Sequence, residues 1–494
     1  MMRIKAFLKA SALVGIYLGL SVISLQAASL SVTTTADGGI GSLRQAIIDA
    51  TINAEANTVT FNIPTSDPGY NVAAYRFTIT LSSPLPNIPL APMTLDNPRK
   101  QGITVSGENG FRVLSLVDSA VVTINNLTIS NGAAGANPGG GIFMGNSATL
   151  TLNGCTVSNS SAATGGGIYM SNSGTVTLTN STVSGNTAIN GGGVYIFDSG
   201  TLNMTGSTIQ GNMAGTGSGG GIYNGVSGTI NATNNTLDGN SAGNQGGGIY
   251  NAATMTANSN TVSGNTASAG GGIFNGFVAT LHNNIIATNT ANDGNDLAGR
   301  ASLGQAFTGS YNLVGNATGS EGLDGTSQLG TSKSPINPLL GPLQFNGGPT
   351  FTRGLLHGSR AIDKGNTPGL INDQRNFIRA HDNLSIPNAA GGNAADIGAY
   401  EVSLTPSAEF VTISGRLFVY GEFGPIVSGA TVYLTSVDGG GRRTTTNRFG
   451  YYYFTDVPSG ETYMLSAKSV RYYFTPEAAN ISGDVSDWNL SSQQ

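Results

Sequence analysis

The sequence predicts an all-β protein in which a parallel β-helix, a solenoid of short strands, is followed by a small β-sandwich. The main observation is a motif of three glycines, an aliphatic residue and an aromatic residue that occurs six times. Repetition with a period near 26 residues is typical of a solenoid, whose units bury their apolar faces only against their neighbours. The copies lie at 139–143, 165–169, 191–195, 219–223, 246–250 and 270–274.

Two apolar columns repeat with the same period. In one column, Val176 and Leu178 are separated by a polar residue, as in a strand with one buried face. Val183 belongs to the second column. Gly-Asn follows, as at 185–186, and both residues tolerate the left-handed backbone of a corner. Three short strands with two or three corners form one coil, and successive coils should lie about 4.8 Å apart.

Residues 1–27 have the pattern of a secretory signal peptide. Arg3, Lys5 and Lys9 precede a mostly apolar stretch at 12–25, and Ala27 suits a cleavage site. A membrane anchor is the alternative, but this stretch is shorter than the about 20 residues that span a bilayer. We expect export to the cell exterior or the outer-membrane surface, with no transmembrane segment in the mature chain.

Residues 31–63 are expected to cap the first coil. Leu43, Ala46, Ile47 and Ala50 have helical spacing, with Ser42 as the N-cap, and a strand is expected at 58–63. Without a cap, the first coil would expose apolar side chains and an unpaired sheet edge.

The β-helix is expected over 28–403, followed by a linker at 404–409 and a second domain at 410–494. In this last part aromatic and charged residues become more frequent and the Asn/Gly repeat stops. Short strands between turn signals fit a small antiparallel sandwich. These strands are expected at 411–415, 428–434, 443–446, 451–454 and 462–465.

The composition is that of a folded protein with little charge. Charged residues make up 10% of the chain, against roughly 25% in a typical domain. The net charge of -5 gives no basic surface for nucleic acid. Cys155 is the only cysteine, so no intrachain disulfide can form, and we expect a monomer held by packing.

Two stretches resemble bacterial right-handed β-helix proteins. Residues 177–195, TLTNSTVSGNTAINGGGVY, resemble the polymorphic outer-membrane-protein type repeat. Residues 36–47 resemble the N-terminal Cys-Ser-Leu-Arg-Glu-Ala motif of such exoproteins, with Gly41 in place of Cys and Gln45 in place of Glu. The resemblance implies a right-handed β-helix in an exported or surface protein.

Two further resemblances concern the end of the chain. Residues 359–363, 373–375 and 396–401, with Arg379, resemble the choice-of-anchor Q domain, which implies that 355–401 close the β-helix. Residues 428–434 and 446–465 resemble the carboxypeptidase regulatory-like domain, a transthyretin-like module, although no peptidase domain or zinc signature accompanies it here.

Catalysis in the repeats is disfavoured because no Lys or Arg occurs between Arg112 and Arg300. A lyase acting on a uronate needs a cation for the carboxylate and typically a basic proton acceptor. A hydrolase needs two carboxylates about 5 to 9.5 Å apart, whereas Asp118 and Asp198 align three coils apart. Asp238 belongs to another column. Asp293 and Asp296 are expected on a solvated loop, where weak cation binding is the alternative.

The remaining reactive residues have structural interpretations. His282 is assigned to the outward column of Thr177, Asn203 and Thr256, and Cys155 to a small corner position. His357 and His381 have no recognisable nucleophilic partner. No catalytic residue, cofactor site or metal site is predicted.

The densest charge cluster is interpreted as an ion-pair network that locks the last coils, because partly buried charges must be paired. An active site is the alternative interpretation. The cluster comprises Asp363, Asp373, Arg375, Arg379, Asp396 and Glu401.

The residue that follows each inward aliphatic residue should point outward, which predicts a ladder of aromatic side chains on one face. The ladder is Phe143, Tyr169, Tyr195, Tyr223, Tyr250 and Phe274. Stacking stabilises such a ladder by itself, and sugar rings also stack on aromatic rings.

These observations favour a non-catalytic surface or secreted protein for adhesion or carbohydrate binding, with glycans or cell-surface components as partners. The alternative is a carbohydrate-active enzyme, a polysaccharide lyase or glycoside hydrolase, with its site around 363–379. A structural envelope component is the third possibility.

Overall fold

The structure, a computed structural model, is an all-β solenoid followed by a small two-sheet unit. The described residues are 29–52, 55–72, 74–99, 102–299, 306–356, 358–402, 411–419, 424–436, 440–481, 483 and 485–492. The predicted signal peptide, the linker and His357 lie outside these ranges. Within them, no helix is long and apolar enough to cross a membrane.

In the central part of the solenoid, each coil contributes one strand to each of three long sheets. Sheet A has 11 parallel strands. They are Ser29–Val32, Asn57–Phe61, Met93–Asp96, Val121–Asn125, Thr149–Asn153, Thr175–Thr179, Thr201–Thr205, Thr229–Thr233, Thr254–Asn258, Val278–His282 and Ala306–Thr308.

Sheet B has 12 strands, parallel except for the first pair. They are Tyr70–Asn71, Arg76–Thr80, Gly102–Ser106, Leu127–Ser130, Thr156–Ser158, Thr182–Ser184, Thr208–Gln210, Thr236–Asp238, Thr261–Ser263, Ile285–Ala287, Leu313–Val314 and Gln328–Leu329.

Sheet C has eight parallel strands and carries the residues that follow the glycine motif. They are Leu114–Leu116, Ile142–Met144, Ile168–Met170, Val194–Ile196, Ile222–Asn224, Ile249–Asn251, Ile273–Asn275 and Leu297–Ala298. A minor sheet between B and C comprises Thr187–Ala188, Met213–Ala214 and Ser241–Ala242.

The predicted cap is a helix, Leu43–Ile52, that lies over the first coil. Leu43, Ala46, Ile47 and Ala50 are buried, as their spacing predicts. Ser42 is the N-cap, since its hydroxyl accepts a hydrogen bond from the backbone N–H of Gln45 at 3.1 Å. The sequence did not indicate the first strand, Ser29–Val32, which pairs in parallel with the predicted strand at Asn57–Phe61.

Inside the solenoid, apolar residues of successive coils stack in columns, and two columns of polar side chains run beside them at the corners. The Asn of each Gly-Asn pair points inward, and only the glycine has positive φ, as in Gly185 at 63°. One column is Cys155, Ser181, Ser207, Asn235, Asn260, Asn284 and Asn312, and the other is Ser160, Asn186, Asn212, Asn240, Asn265 and Asn289.

The Asn residues of these two columns each bind the next coil twice, except for Asn312 at the end of the first column. The backbone N–H of Asn212 donates to Oδ1 of Asn240 at 3.0 Å, and Nδ2 of Asn212 donates to the same oxygen at 2.9 Å. Nδ2 also donates to the carbonyl of Val183 at 3.0 Å. Because a buried amide without partners is costly, these bonds fix the register of successive coils.

The closing role expected of residues 355–401 stays a prediction. These residues lie along the flank of the solenoid, over sheet B, together with a hairpin of Leu340–Gln344 and Thr352–Leu355. We call residues 340–402 the flanking segment. Its contacts extend from the coil of Gly206 to the last strand of sheet B, at Gln328.

The last part of the chain forms two sheets around a separate apolar core. Five of its strands were expected, with shorter or shifted bounds, at 411–415, 428–434, 443–446, 451–454 and 462–465. The last two observed strands, Glu477–Ile481 and Leu490–Ser492, were not expected. One sheet comprises Tyr451–Val457, Val411–Val419 and Leu490–Ser492, and the other Gly441–Thr445, Thr431–Ser436, Glu461–Lys468 and Glu477–Ile481.

The amide column can be tested by Asn240→Ala. The substitution leaves the buried backbone N–H of Asn212 without its acceptor, so the free energy of unfolding should fall by about 3 kcal/mol. The exposed Asn231→Ala on sheet A is the matched control and should change stability by less than about 0.5 kcal/mol. Equal melting temperatures for the two variants would contradict the role of the column.

Candidate functional site

The six predicted aromatic residues form a continuous ladder on the outer face of sheet C. Each pairs in register with the next, and every ring is half-buried. The ring centroids from Phe143 to Phe274 are 5.6, 5.5, 4.6, 4.7 and 5.5 Å apart, with interplanar angles of 4° to 25°. The structure therefore brings together all six residues in a single stacked column.

The glycine motif explains why the ladder forms at this place. The first glycine turns the chain with positive φ, as in Gly165 at 61°. A Cβ atom at the third glycine, Gly167, would lie 2.6 Å from the carbonyl oxygen of Gly193 and 2.9 Å from Nδ2 of Asn186. The motif thus gives space to the internal amide column and aligns the following strand.

The ladder is uncharged at neutral pH. Burial raises the pKa of Tyr169, Tyr223 and Tyr250, and it raises the pKa of Tyr195 to about 12. The tyrosines therefore keep their hydroxyl protons, and the face presents ring edges and hydroxyl groups to solvent.

Apolar side chains border the ladder on the turns that lead from sheet C to sheet A. Phe197 is 44% exposed, Val226 76% and Phe277 54%. The Phe197 ring also stacks on Tyr169, with centroids 6.4 Å apart. Together with the ladder they make a broad apolar surface, a feature that often marks a binding site.

Asp296 is buried, contrary to the prediction of a solvated loop. It occupies the third-glycine position of a seventh, degenerate repeat, since Ile273 pairs with Leu297. Its carboxylate accepts the backbone N–H of Asn289 at 2.9 Å, the Asn289 side chain at 2.8 Å and the backbone N–H of Asn316 at 2.6 Å. Asp296 thereby ends the amide column, and the sequence signal was the spacing from Gly272.

The other acidic residues of the repeats are dispersed. Asp118 accepts the backbone N–H of Asn146 at 2.8 Å, and Asp198 lies in a turn with φ of 51°. Asp238 pairs with Arg353 of the flanking segment at 2.5 Å, a contact that sequence reasoning missed because 115 residues separate the two. Among the described residues, no group of three His, Cys, Asp or Glu side chains could hold a metal ion.

His282 was assigned to the wrong column. It pairs with Asn258, two positions further along the strand than Thr256, and is half-buried. One ring nitrogen lies 2.8 Å from the hydroxyl of Ser310, and the other lies 2.7 Å from the carbonyl of Asn366 in the flanking segment. His282 therefore holds the flanking segment to the solenoid.

Cys155 and His381 make structural contacts. Cys155 is buried in the corner column, as predicted, and its backbone N–H donates to the hydroxyl of Ser181 at 3.1 Å. Burial raises the pKa of the thiol to about 11. The backbone N–H of His381 donates to Glu401 at 3.0 Å.

The charge cluster is a buried network in which each of the six residues is less than 5% exposed. Arg375 binds Asp373 at 2.6 Å and lies over the Tyr400 ring at 3.5 Å. Arg379 lies 3.4 Å from Glu401 and donates to the side chain of Asn234, in the solenoid, at 2.7 Å. This geometry is that of the predicted ion-pair network.

Four carboxyl groups share the network with two arginines, so protonation helps to balance its charge. Burial raises the pKa of Glu401 to about 7, against the opposing effect of Arg379. Burial and the Glu401 carboxylate raise the pKa of Asp396 well above its usual value. The backbone N–H of Asp363 donates to Asp396 at 2.8 Å.

Gln374, which lies inside the quoted motif, attaches the flanking segment to the solenoid. Its amide nitrogen donates to the hydroxyls of Thr208 at 3.1 Å and Thr350 at 2.9 Å, and its oxygen accepts from Thr236 at 2.6 Å. The two solenoid partners are buried outward threonines of sheet B, a column that stays half-exposed at Thr156 and Thr182.

Part of the chain matches a known family. Residues 94–291 match the family model described as the right handed beta helix region. The repeats therefore form a right-handed β-helix. No curated protein matches the chain.

Among solved structures, one similar chain is described as the crystal structure of pectate lyase Pel9A. It has 12% sequence identity and a TM-score of 0.38, and the alignment covers 76% of the present chain and 97% of the other. A similarity this weak says nothing about the activity of the present chain.

The ion-pair network predicts a large effect of Arg379→Met. Glu401 and the Asn234 oxygen would lose a buried partner, and even with a proton on Glu401 the loss should be about 3 kcal/mol. The exposed Arg360→Met is the control and should stay within about 0.5 kcal/mol of the wild type in denaturant unfolding. Similar stabilities for both variants would contradict the network.

Because Asp296 is buried, we expect the stability of the protein to depend on pH. Burial raises its pKa from 3.8 to about 6, so its contribution to stability is complete below the unfolded-state value and is lost as pH rises through 6. That loss amounts to about 3 kcal/mol. Asp396 and Glu401 act in the same direction, so the test compares melting temperatures of wild type and Asp296→Asn across this range. The variant should show a shallower decline, and an identical pH slope would refute the assignment.

Proposed function

We propose that this chain is an exported, non-catalytic protein that binds carbohydrate, at the cell surface or as a secreted protein, through the aromatic ladder. The observation that supports this most is the column of six half-buried rings on sheet C. A self-contained structural stack needs no exposed apolar margin, and here exposed apolar side chains continue the surface at the turns.

The ladder has the chemistry that sugar rings need. The C–H face of a pyranose packs on an aromatic ring, and the hydroxyl groups at its edge need polar neighbours. At successive coils the protonated tyrosines offer ring edges to the sugar C–H groups, since neighbouring rings cover the ring faces, and they offer hydroxyl groups to the sugar hydroxyls. An extended β-1,4-linked glycan, whose sugar rings follow one another in a flat ribbon, fits a straight column of rings.

Export and the role of the last domain belong to this proposal through sequence resemblance. The signal-peptide pattern of 1–27 supports secretion. The choice-of-anchor Q resemblance of 355–401 supports a surface location, and the module at 410–494 resembles domains often grouped with starch-binding-like folds.

A carbohydrate-active enzyme with its site around 363–379 is the alternative, and it makes a different prediction. Asp373, which would be central to that site, is 2% exposed and holds Arg375. Turnover of uronates or neutral glycans that is lost in Asp373→Asn would favour the enzyme. A structural envelope component would show neither binding nor turnover.

The proposed function is tested by the double variant Tyr195→Ala/Tyr223→Ala. These rings are 4.6 Å apart at the centre of the ladder, so their removal should weaken binding of a ladder-dependent glycan by about tenfold or more. The readout is a glycan array followed by calorimetric titration of the strongest glycan.

The control replaces two exposed aromatic residues of the flanking segment, Phe345→Ala/Phe351→Ala, and should bind as the wild type does. Circular dichroism and the melting temperature establish that the variants are folded. Unchanged glycan binding by the folded ladder variant would refute the proposal.

A further inference from the structure

The aromatic ladder ends in a cation. In the coil before Phe143, the register places Ser115 beside the ring, and the side chain of Arg112 covers it instead. The guanidinium carbon lies 4.9 Å from the centroid of the Phe143 ring. The stack therefore continues from six aromatic rings to a planar guanidinium group, which gives the surface a positive end and a neutral end.

Arg112 is held in place by backbone groups. Its Nε donates to the carbonyl of Gly139 at 2.9 Å, and its Nη2 donates to the carbonyl of Pro138 at 2.7 Å. Nη1 makes no hydrogen bond to the described residues, and the unpaired buried side-chain atoms among them lie elsewhere, so Nη1 is open to solvent. One face and one edge of the guanidinium are fixed while a donor remains available.

Arg112 differs from the other partly or fully buried arginines of the solenoid and flanking segment. Arg44, Arg353, Arg375 and Arg379 each pair with a carboxylate. Within the described ranges, Arg112 has no carboxylate within 4.0 Å, although burial lowers its pKa. An arginine keeps its charge in proteins, so a half-buried cation is left without a counter-charge.

The charge is also isolated along the ladder. No Lys or Arg follows until Arg300, so the sequence provides one cation for all the coils that carry the aromatic rings. A positive group at one end of an otherwise uncharged apolar column complements a ligand with flat sugar rings and an anionic group. Neutral glycans match only the rings.

We propose that Arg112 is an anion-binding subsite at the end of the ladder, and that the ligand is an acidic glycan. A carboxylate or sulfate group of one sugar would accept a charge-assisted hydrogen bond from Nη1 while the neighbouring sugars lie along the ring edges of Phe143 and the tyrosines. This inference rests on the proposed function, because it needs the ladder to bind sugar rings. It adds the class of ligand and the direction in which its chain lies.

The test uses three probes with the same backbone: cellohexaose, its C6-oxidised glucuronate counterpart and 6-O-sulfated cellohexaose. The wild-type mature chain should bind an anionic probe about five- to tenfold more tightly than cellohexaose in calorimetric titration. Arg112→Gln should abolish this preference by lowering the affinity for the anionic probes, whereas Arg112→Lys should retain part of it. The exposed Arg360→Gln is the control and should behave as the wild type.

The outcomes separate the two proposals. Equal wild-type affinity for all three probes, or an anion preference that survives in Arg112→Gln, overturns the anion subsite while ladder-dependent binding of cellohexaose upholds the proposed function. No binding of any probe by the wild type contradicts both. The stronger of the two anionic probes identifies carboxylate or sulfate as the group bound.

If the Arg112→Gln variant does not fold, the salt dependence of binding by the wild-type chain tests the same proposal. The wild-type preference for the anionic probe should shrink from low to high salt, because screening weakens an ion pair that is partly open to solvent. Cellohexaose binding, which depends on contacts with the uncharged rings, should change little. A preference that is independent of salt would contradict the role of Arg112.

Discussion

Buried side-chain amides hold successive coils of this solenoid in one register. In the column that contains Asn212, Asn240 and Asn265, each side-chain oxygen accepts two hydrogen bonds from the preceding coil. A shift of one residue would leave several buried donors unpaired, at a cost that adds to that of turning the apolar columns outward. The hydrophobic core makes the coils stack, and the amides determine how they stack.

The aromatic ladder is a consequence of the same register. The third glycine of each motif leaves space for the amide column inside, and two positions later an aromatic side chain points outward. Because the register repeats without slippage from coil to coil, the rings stack instead of alternating. A binding surface on the outside of sheet C thus depends on the polar interior, although no ring touches an amide of the column.

Charge is used sparingly in this protein, and the carboxylates and guanidinium groups at its buried sites make specific contacts. Arg353 and Arg379 attach the flanking segment to the solenoid through Asp238 and Asn234. The carboxylate of Asp296 ends an amide column. These groups are buried, so each depends on its partners. Arg112 is different because its fixed position serves the ladder while its charge remains available.

The sequence by itself determined the coil. Three local patterns can be read directly along the chain. They are the period of the glycine motif, the alternation at Val176 and Leu178, and the helical spacing of Leu43 to Ala50. Only the tertiary structure decided which residues meet across long separations: Asp238 with Arg353, Gln374 with Thr236, and His282 with Asn366. It also decided that 355–401 lie along the flank and that Asp296 is buried. Such contacts depend on where the chain lies when it returns along the coils. The returning segment has no repeating sequence pattern from which its position could be predicted.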